Sequence, residues 1–194
     1  MADHSILFSE PMVRAILAGR KTQTRRVLKP QPYRDENGEL MMQVNKHGAI
    51  GHSRMSPLYG QPMTEWVKWQ PGSKLRVRET WAPGDCDGEV FYRATIDEDT
   101  DYSPEEIANI RWRPSIHMPR WASRITLLVE AVRVERLQEI NRGDAMSEGC
   151  PFPNMAKGDD PREWFRGVWN SIHGPDAWDA NPYVSVTTFR RIEP

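Results

Sequence analysis

The stretch Gly19-Arg20-Lys21-Thr22-Gln23-Thr24-Arg25-Arg26 places an amine, two hydroxyls and three guanidinium groups within one short run. If the run is extended, Thr22, Thr24 and Arg26 share a face and Lys21 lies beside them. A lysine whose pKa is lowered by burial can take a hydroxyl proton and create a nucleophile. The same residues also read as a basic, solvated turn, which is the commoner use of such a sequence.

A carboxylate worth setting beside them is Glu79, which continues the inward row of Leu75 and Val77 and therefore needs a partner. That partner is a cation such as Lys21, Arg26 or Arg124, or a ligand. Trp81, Trp112 and Trp121 neighbour Arg78, Arg111, Arg113 and Arg120. Aromatics between cations suit a single-stranded or flipped base, although packing of a loop is the more frequent role. Trp164, Phe165 and Trp169 fall on a helical stripe and read as core.

The elements that must position these groups follow from period and punctuation. A helix is expected from Glu10 to Ala18, with Ser9 as N-cap, Pro11 in the first turn and Gly19 as the stop. Residues 30–72 show no sustained period and read as a long insertion outside the core. Strands are expected over Lys74 to Trp81 and Glu89 to Thr95, forming a hairpin through Gly84-Asp85-Cys86-Asp87-Gly88. The longest strand, Ser123 to Leu137, changes parity between Val129 and Val132, which predicts a bulge or bend near Ala131. A short polar helix over Arg142 to Ser147 leads into Glu148 and Gly149. The clearest helix runs from Pro161 to Ile172, capped by Asp160 and stopped by Gly174, with Trp164, Phe165, Val168, Trp169 and Ile172 on its packed face. Tyr183 to Ile192 reads as the closing strand.

Composition narrows the function classes. With 26 Lys and Arg against 27 Asp and Glu, the net charge of −1 excludes nucleic-acid binding by bulk positive charge, so any such contact is local. No apolar run is long enough for a membrane span and the N-terminus has no signal-peptide pattern, so a cytoplasmic protein without a membrane partner is expected. Cys86 and Cys150 lack the spacing of a zinc or thiol redox motif and are expected as free thiols. The histidines His4, His47, His52, His117 and His173 show no ligand spacing, and phosphate-loop and dinucleotide fingerprints are missing, so neither a metal nor a cofactor is expected. The acidic run 97–101 with Glu105 and Glu106 reads as a solvated loop and helix start. The length suits one domain spanning 1–194 with insertions at about 30–72 and 99–122.

Five segments carry a resemblance: ILAGRKTQTRR, KLRVRETW, IHMPRWASRITLLVEAVRVERLQEI, the Glu-Gly of AMSEGC, and NPYVSVTTFRRI. Together they resemble the ASCH domain family, in a long form similar to proteins of phages and prophages. The resemblance implies an α+β fold, a PUA-like small and mostly antiparallel β-barrel with flanking helices and two long loop insertions. It also implies RNA binding or nucleoside handling in a cleft between helix and barrel. Small members of the YqfB type remove the acetyl group from acetylated cytidine with a Lys, a Thr and a Glu. Lys21 and Thr24 fall on those motif positions, Arg26 on the basic residue that follows, and Glu148 on the place of the Glu.

The expectation is therefore a cofactor-free amidohydrolase acting on an acylated nucleoside such as 4-acetylcytidine. In it Thr24 attacks the acyl carbon, Lys21 serves as base and then as acid, and Glu148 orients the lysine or its water. Arg26 or backbone N–H groups near Gly19 would steady the oxyanion, and Thr22, Glu79 and Trp81 would contact substrate. A rival assignment has Lys21 attacking, or Glu148 activating water. The alternatives are a module that binds RNA or a modified base without catalysis, and a ribonuclease using the same cleft.

Overall fold

The structure of the chain, a computed structural model, describes residues 3–46, 49–54, 67–84, 86, 88–96, 102–151 and 160–192. The acidic run 97–101 and the stretches 152–159 and 55–66 lie outside the described residues. The architecture is α+β. The elements are β1 (Asp3–Leu7), α1 (Glu10–Leu17), β2 (Gln23–Val27), β3 (Tyr33–Arg34), β4 (Leu40–Lys46), β5 (Ala49–Arg54), β6 (Lys74–Arg78), β7 (Trp81–Pro83), β8 (Val90–Tyr92), α2 (Pro104–Asn109), β9 (Thr126–Arg136), α3 (Arg142–Ser147), α4 (Pro161–His173) and β10 (Tyr183–Ile192). No helix among the described residues is long and apolar enough to cross a membrane.

A five-stranded sheet in the order β1-β6-β9-β10-β2 organises the molecule. β1 and β6 are parallel, and the other neighbours are antiparallel. β6 therefore pairs with β1 and β9, while the hairpin partner of β8 is the short β7, which corrects the expectation that one strand from Lys74 to Trp81 pairs with the next. The strand is interrupted at Glu79 and Thr80, so the segment before them joins the large sheet and the segment after them starts another.

The parity change in β9 is real and has the expected cause. Thr188 pairs with Ala131 but Phe189 pairs with Val129, so Glu130 is the extra residue of a bulge. One residue of slip lets Leu127 and Val129 on one side of the bulge, and Val132 on the other, pack against the same core of Ile6, Val13, Leu75, Val77 and Phe189 under α1. Val184 and Val186 of β10 point to the opposite face and pack with Leu137, Ala145, Phe165, Trp169 and Trp178 beneath α3 and α4. Side chains as fully covered as Leu75, Leu127 and Val184 each stabilise the fold by about 1.5–3 kcal/mol.

The first insertion is more ordered than its sequence suggests. β3, β4 and β5 form a three-stranded antiparallel sheet, and Met42 and Val67 are buried with Leu28, Val134 and Tyr183. The expectation that 30–72 stays outside the core is thus corrected: these apolar residues, spaced without a local period, meet a patch on β9 and β10. α4 ends at His173 and Gly174 closes it, but Ile172 is 61% exposed and does not join the packed face.

Candidate functional site

The turn after α1 sets the site. Gly19 takes a positive φ of 72°, and Ala15 O then accepts from both Arg20 N and Lys21 N, at 2.8 and 3.0 Å. This tight stop drops Lys21 directly under the helix, where it forms an isolated β-bridge with Glu148 at the end of α3. Ser147 O accepts from Thr22 N at 2.8 Å and Thr22 O accepts from Phe189 N at 2.8 Å, clamping the segment between α3 and β10. Gly149, at a φ of 103°, makes the close approach possible, since a Cβ there would lie 2.9 Å from Ala15 Cβ and 3.2 Å from Lys21 Cβ.

Lys21 and Glu148 form a buried ion pair. Lys21 Nζ donates to Glu148 Oε2 at 2.7 Å, to Glu148 O at 2.9 Å and to Gln23 O at 2.8 Å, a full set of partners for an ammonium. Burial lowers the Lys21 ammonium from its ordinary value, and the Glu148 carboxylate opposes that shift. The other carboxylate oxygen, Oε1, accepts from Arg25 Nη1 at 3.1 Å. Arg25 Nη2 reaches Glu135 Oε1 at 2.7 Å and Asp144 Oδ2 at 3.2 Å, and Arg133 closes the far side on the same two acids. Three cations and three carboxylates thus neutralise one another beneath α3, the arrangement that makes burial of charge tolerable.

Lys21, Thr24, Arg26 and Glu148 line one cavity of about 360 Å³, walled by Phe8 and by Trp169 and His173 of α4. That volume lies in the range of small-molecule sites. It sits where, among the described residues, β2 has no strand partner on one side, between the end of β1 and α4. Gln23 O turns to that open edge to meet Lys21, whereas Thr22 O turns to β10. Strand alternation then directs the backbone N–H and C=O of Arg25 to the open edge as well. Among the described residues Lys21 makes no hydrogen bond to Thr24.

The remaining sequence-expected site residues lie elsewhere. Glu79, 1% exposed, is held by Arg124 through Nε–Oε1 and Nη2–Oε2 contacts of 3.1 Å each, and burial raises its carboxyl although Arg124 resists. Arg124 also covers the Tyr92 ring at 3.8 Å, so this acid serves to join β8 to the strand β6–β7 corner. Trp81 is 2% exposed, packed with Met118 and Ala122, edge-on to Trp121 and under the Arg113 guanidinium. Neither side chain lines the cavity, and Thr80 between them does. Thr22 contributes its backbone clamp and does not line the cavity. Arg26 Nη2 donates to Leu7 O at 2.9 Å and its guanidinium lies over Phe8, 5.8 Å from the ring centroid.

Arg25, Glu135 and Asp144 were not legible as site residues, because the acids stand more than a hundred residues downstream and look like solvated charges on their own elements. His173 had a local signal: it follows Trp169 by four residues on one helix, and the two rings stack at 4.3 Å. Among the described residues no group of three or more His, Cys, Asp or Glu side chains is placed to hold a metal ion.

No family model matches the chain, and no curated protein matches it. Among solved structures it is similar to the crystal structure of protein EF3133 from Enterococcus faecalis V583, described under the family model DUF984, with a TM-score of 0.45 and 9% identity over 100% of this chain and 82% of that one.

Proposed function

We propose that the chain is a PUA-like ASCH domain that works as a cofactor-free amidohydrolase on an acylated nucleoside such as 4-acetylcytidine. The observation that carries this reading is the convergence of Lys21, Thr24 and Glu148 on one cavity of about 360 Å³. The barrel part of the reading is supported by Arg26, whose contact with Leu7 O draws the two outermost strands of the sheet toward each other.

The chemistry balances without any added group. Lys21, neutral after loss of its extra proton, takes the Thr24 proton as Oγ1 attacks the acyl carbon. Collapse of the tetrahedral intermediate breaks the C–N bond, and Lys21 returns the proton to the leaving amine. Water, deprotonated by Lys21, then attacks the Thr24 ester; the C–O bond to Thr24 breaks, Lys21 returns the proton to Oγ1, and the carboxylic acid leaves. Glu148 is held at both oxygens, by Lys21 and by Arg25, which suits it to fixing the lysine more than to shuttling protons itself. Arg26 stands on the same cavity as a donor for the oxyanion.

One observation favours the second reading, a module binding RNA or a modified base: the three donors of the Lys21 ammonium are all engaged, and none is on Thr24. Incubation with 4-acetylcytidine separates the two. Release of cytidine, lost in Lys21→Ala and in Thr24→Ala by about a thousandfold or more, is the expected result. Turnover unchanged in either variant ends the assigned roles, and binding without product favours the module.

A further inference from the structure

A second cavity, of about 390 Å³, opens beside the first between β1 and β2. Leu7 and Arg26 line both. The polar groups of the second cavity include Arg26, Lys29 and Lys68 with the hydroxyls of Ser5 and Ser185, and among the described residues no carboxylate lines it. Among the described residues Arg26, Lys29 and Lys68 have no ion pair: Arg26 is spent in part on Leu7 O and Phe8, and Lys68 lies over the Trp69 ring at 5.6 Å. Their field reaches the mouth of the first cavity, because His173 there is held below its ordinary value by burial and then by Arg26 and Lys29. A groove with three cations, two hydroxyls and, among the described residues, no carboxylate in its lining is complementary to an anion with several acceptor oxygens. Around the charges of Lys21 and Arg25, by contrast, every cation has a carboxylate.

We propose that the second cavity is a phosphate subsite, taking the phosphate of a nucleotide whose base occupies the first. This rests on the nucleoside reading of the first cavity and makes the substrate class of the site a phosphate ester, from a free mononucleotide or from the backbone of a single strand. Arg26, shared by the two cavities, is the residue that ties base and phosphate into one ligand.

The test is equilibrium binding of cytidine, cytidine 5′-monophosphate and a short oligocytidylate to the wild type and to a Lys29→Ala, Lys68→Ala double variant. Both lysines are exposed, so the fold is left intact. The monophosphate should bind about tenfold more tightly than cytidine, through charge-assisted contacts that weaken with salt. In the double variant that advantage should vanish while cytidine affinity holds. An oligonucleotide tighter than the monophosphate assigns the phosphate to a strand, and equal affinity assigns it to a free nucleotide. Equal affinity of cytidine and its monophosphate, an advantage that survives the double substitution, or no binding by any of the three overturns the subsite. Hydrolysis of 4-acetylcytidine is read separately: failed turnover with the phosphate preference intact ends the hydrolase and leaves the subsite standing.

Discussion

Arg25 Nη1 stands 3.1 Å from Glu148 Oε1, on the carboxylate oxygen that Lys21 does not use. The guanidinium has no solvent exposure and lies 5.8 Å from the Phe165 ring centroid, so Glu148 is fixed from both sides by cations that water does not screen. Its own place is set by Glu135 and Asp144.

Removing that guanidinium leaves the buried Glu148 and the partly exposed Glu135 and Asp144 under-compensated. Arg25→Met should cost about 3–5 kcal/mol of stability, measured by denaturant unfolding. Arg25→Lys should recover part of the loss, because charge returns without the planar fork. A cost for the Met variant under about 1 kcal/mol, the range of an exposed pair, would show that the network is solvated.

Lys21 should titrate below its ordinary value of 10.5, because burial disfavours the ammonium more than Glu148 restores it. Competitive acetylation with acetic anhydride across a pH series, followed by peptide mapping, reads this amine without any substrate. In Glu148→Gln the opposing carboxylate is gone and the titration should move lower still. An upward move would assign the shift to something other than desolvation.

Acid stability should depend on Asp144. Burial alone would raise its carboxyl, but Arg133 and Arg25 outweigh burial and hold it below its ordinary value of 3.8. A carboxyl depressed in the folded state contributes stability above the unfolded value, and that contribution is lost as pH falls through the folded one. Unfolding free energy should therefore drop with decreasing pH below about 3.8, and the slope there should be shallower in Asp144→Asn. Identical slopes for the two proteins would remove Asp144 from the network.

Gly149 and Gly19 both adopt positive φ, but only Gly149 is hemmed in, by Ala15 and Lys21. Gly19→Ala should cost about 1 kcal/mol from backbone strain alone. Gly149→Ala should cost visibly more, since an added methyl must push α1 from α3. Thermal melts of the pair check this, and equal losses would mean that the contact yields freely.

The sequence made the helices and the two long strands readable because each is set by local period and punctuation: Pro11 and Gly19 around α1, Asp160 and Gly174 around α4, the parity change in β9. Partner choice was not readable. β6 prefers the distant β1 to the nearby β8, and Met42 finds Val134 across the fold, both outcomes of tertiary packing that leave no local trace. In the site, the Lys21 and Thr24 segment announced itself through its chemistry, and Glu148 through the resemblance. Glu79 had inward parity and met Arg124, one of the three cations named for it, while Trp81, read among aromatics between cations, is packed by Met118 and covered by Arg113. Parity tells which side chains are covered and not by what.

β2 is five residues long and, among the described residues, pairs with a strand along one margin, that of β10. Thr24 and Arg26 face one side of it with Thr187 and Ser185, and Arg25 faces the other toward Glu135. Losing or gaining a single codon between Lys21 and Arg26 would turn the guanidinium away from the charge network, onto the buried face of Thr187 and Ser185, and drive the hydroxyl into the acids. The spacing of these residues is consequently under tighter constraint than any one of their identities, and length variation belongs in the β3–β5 region instead.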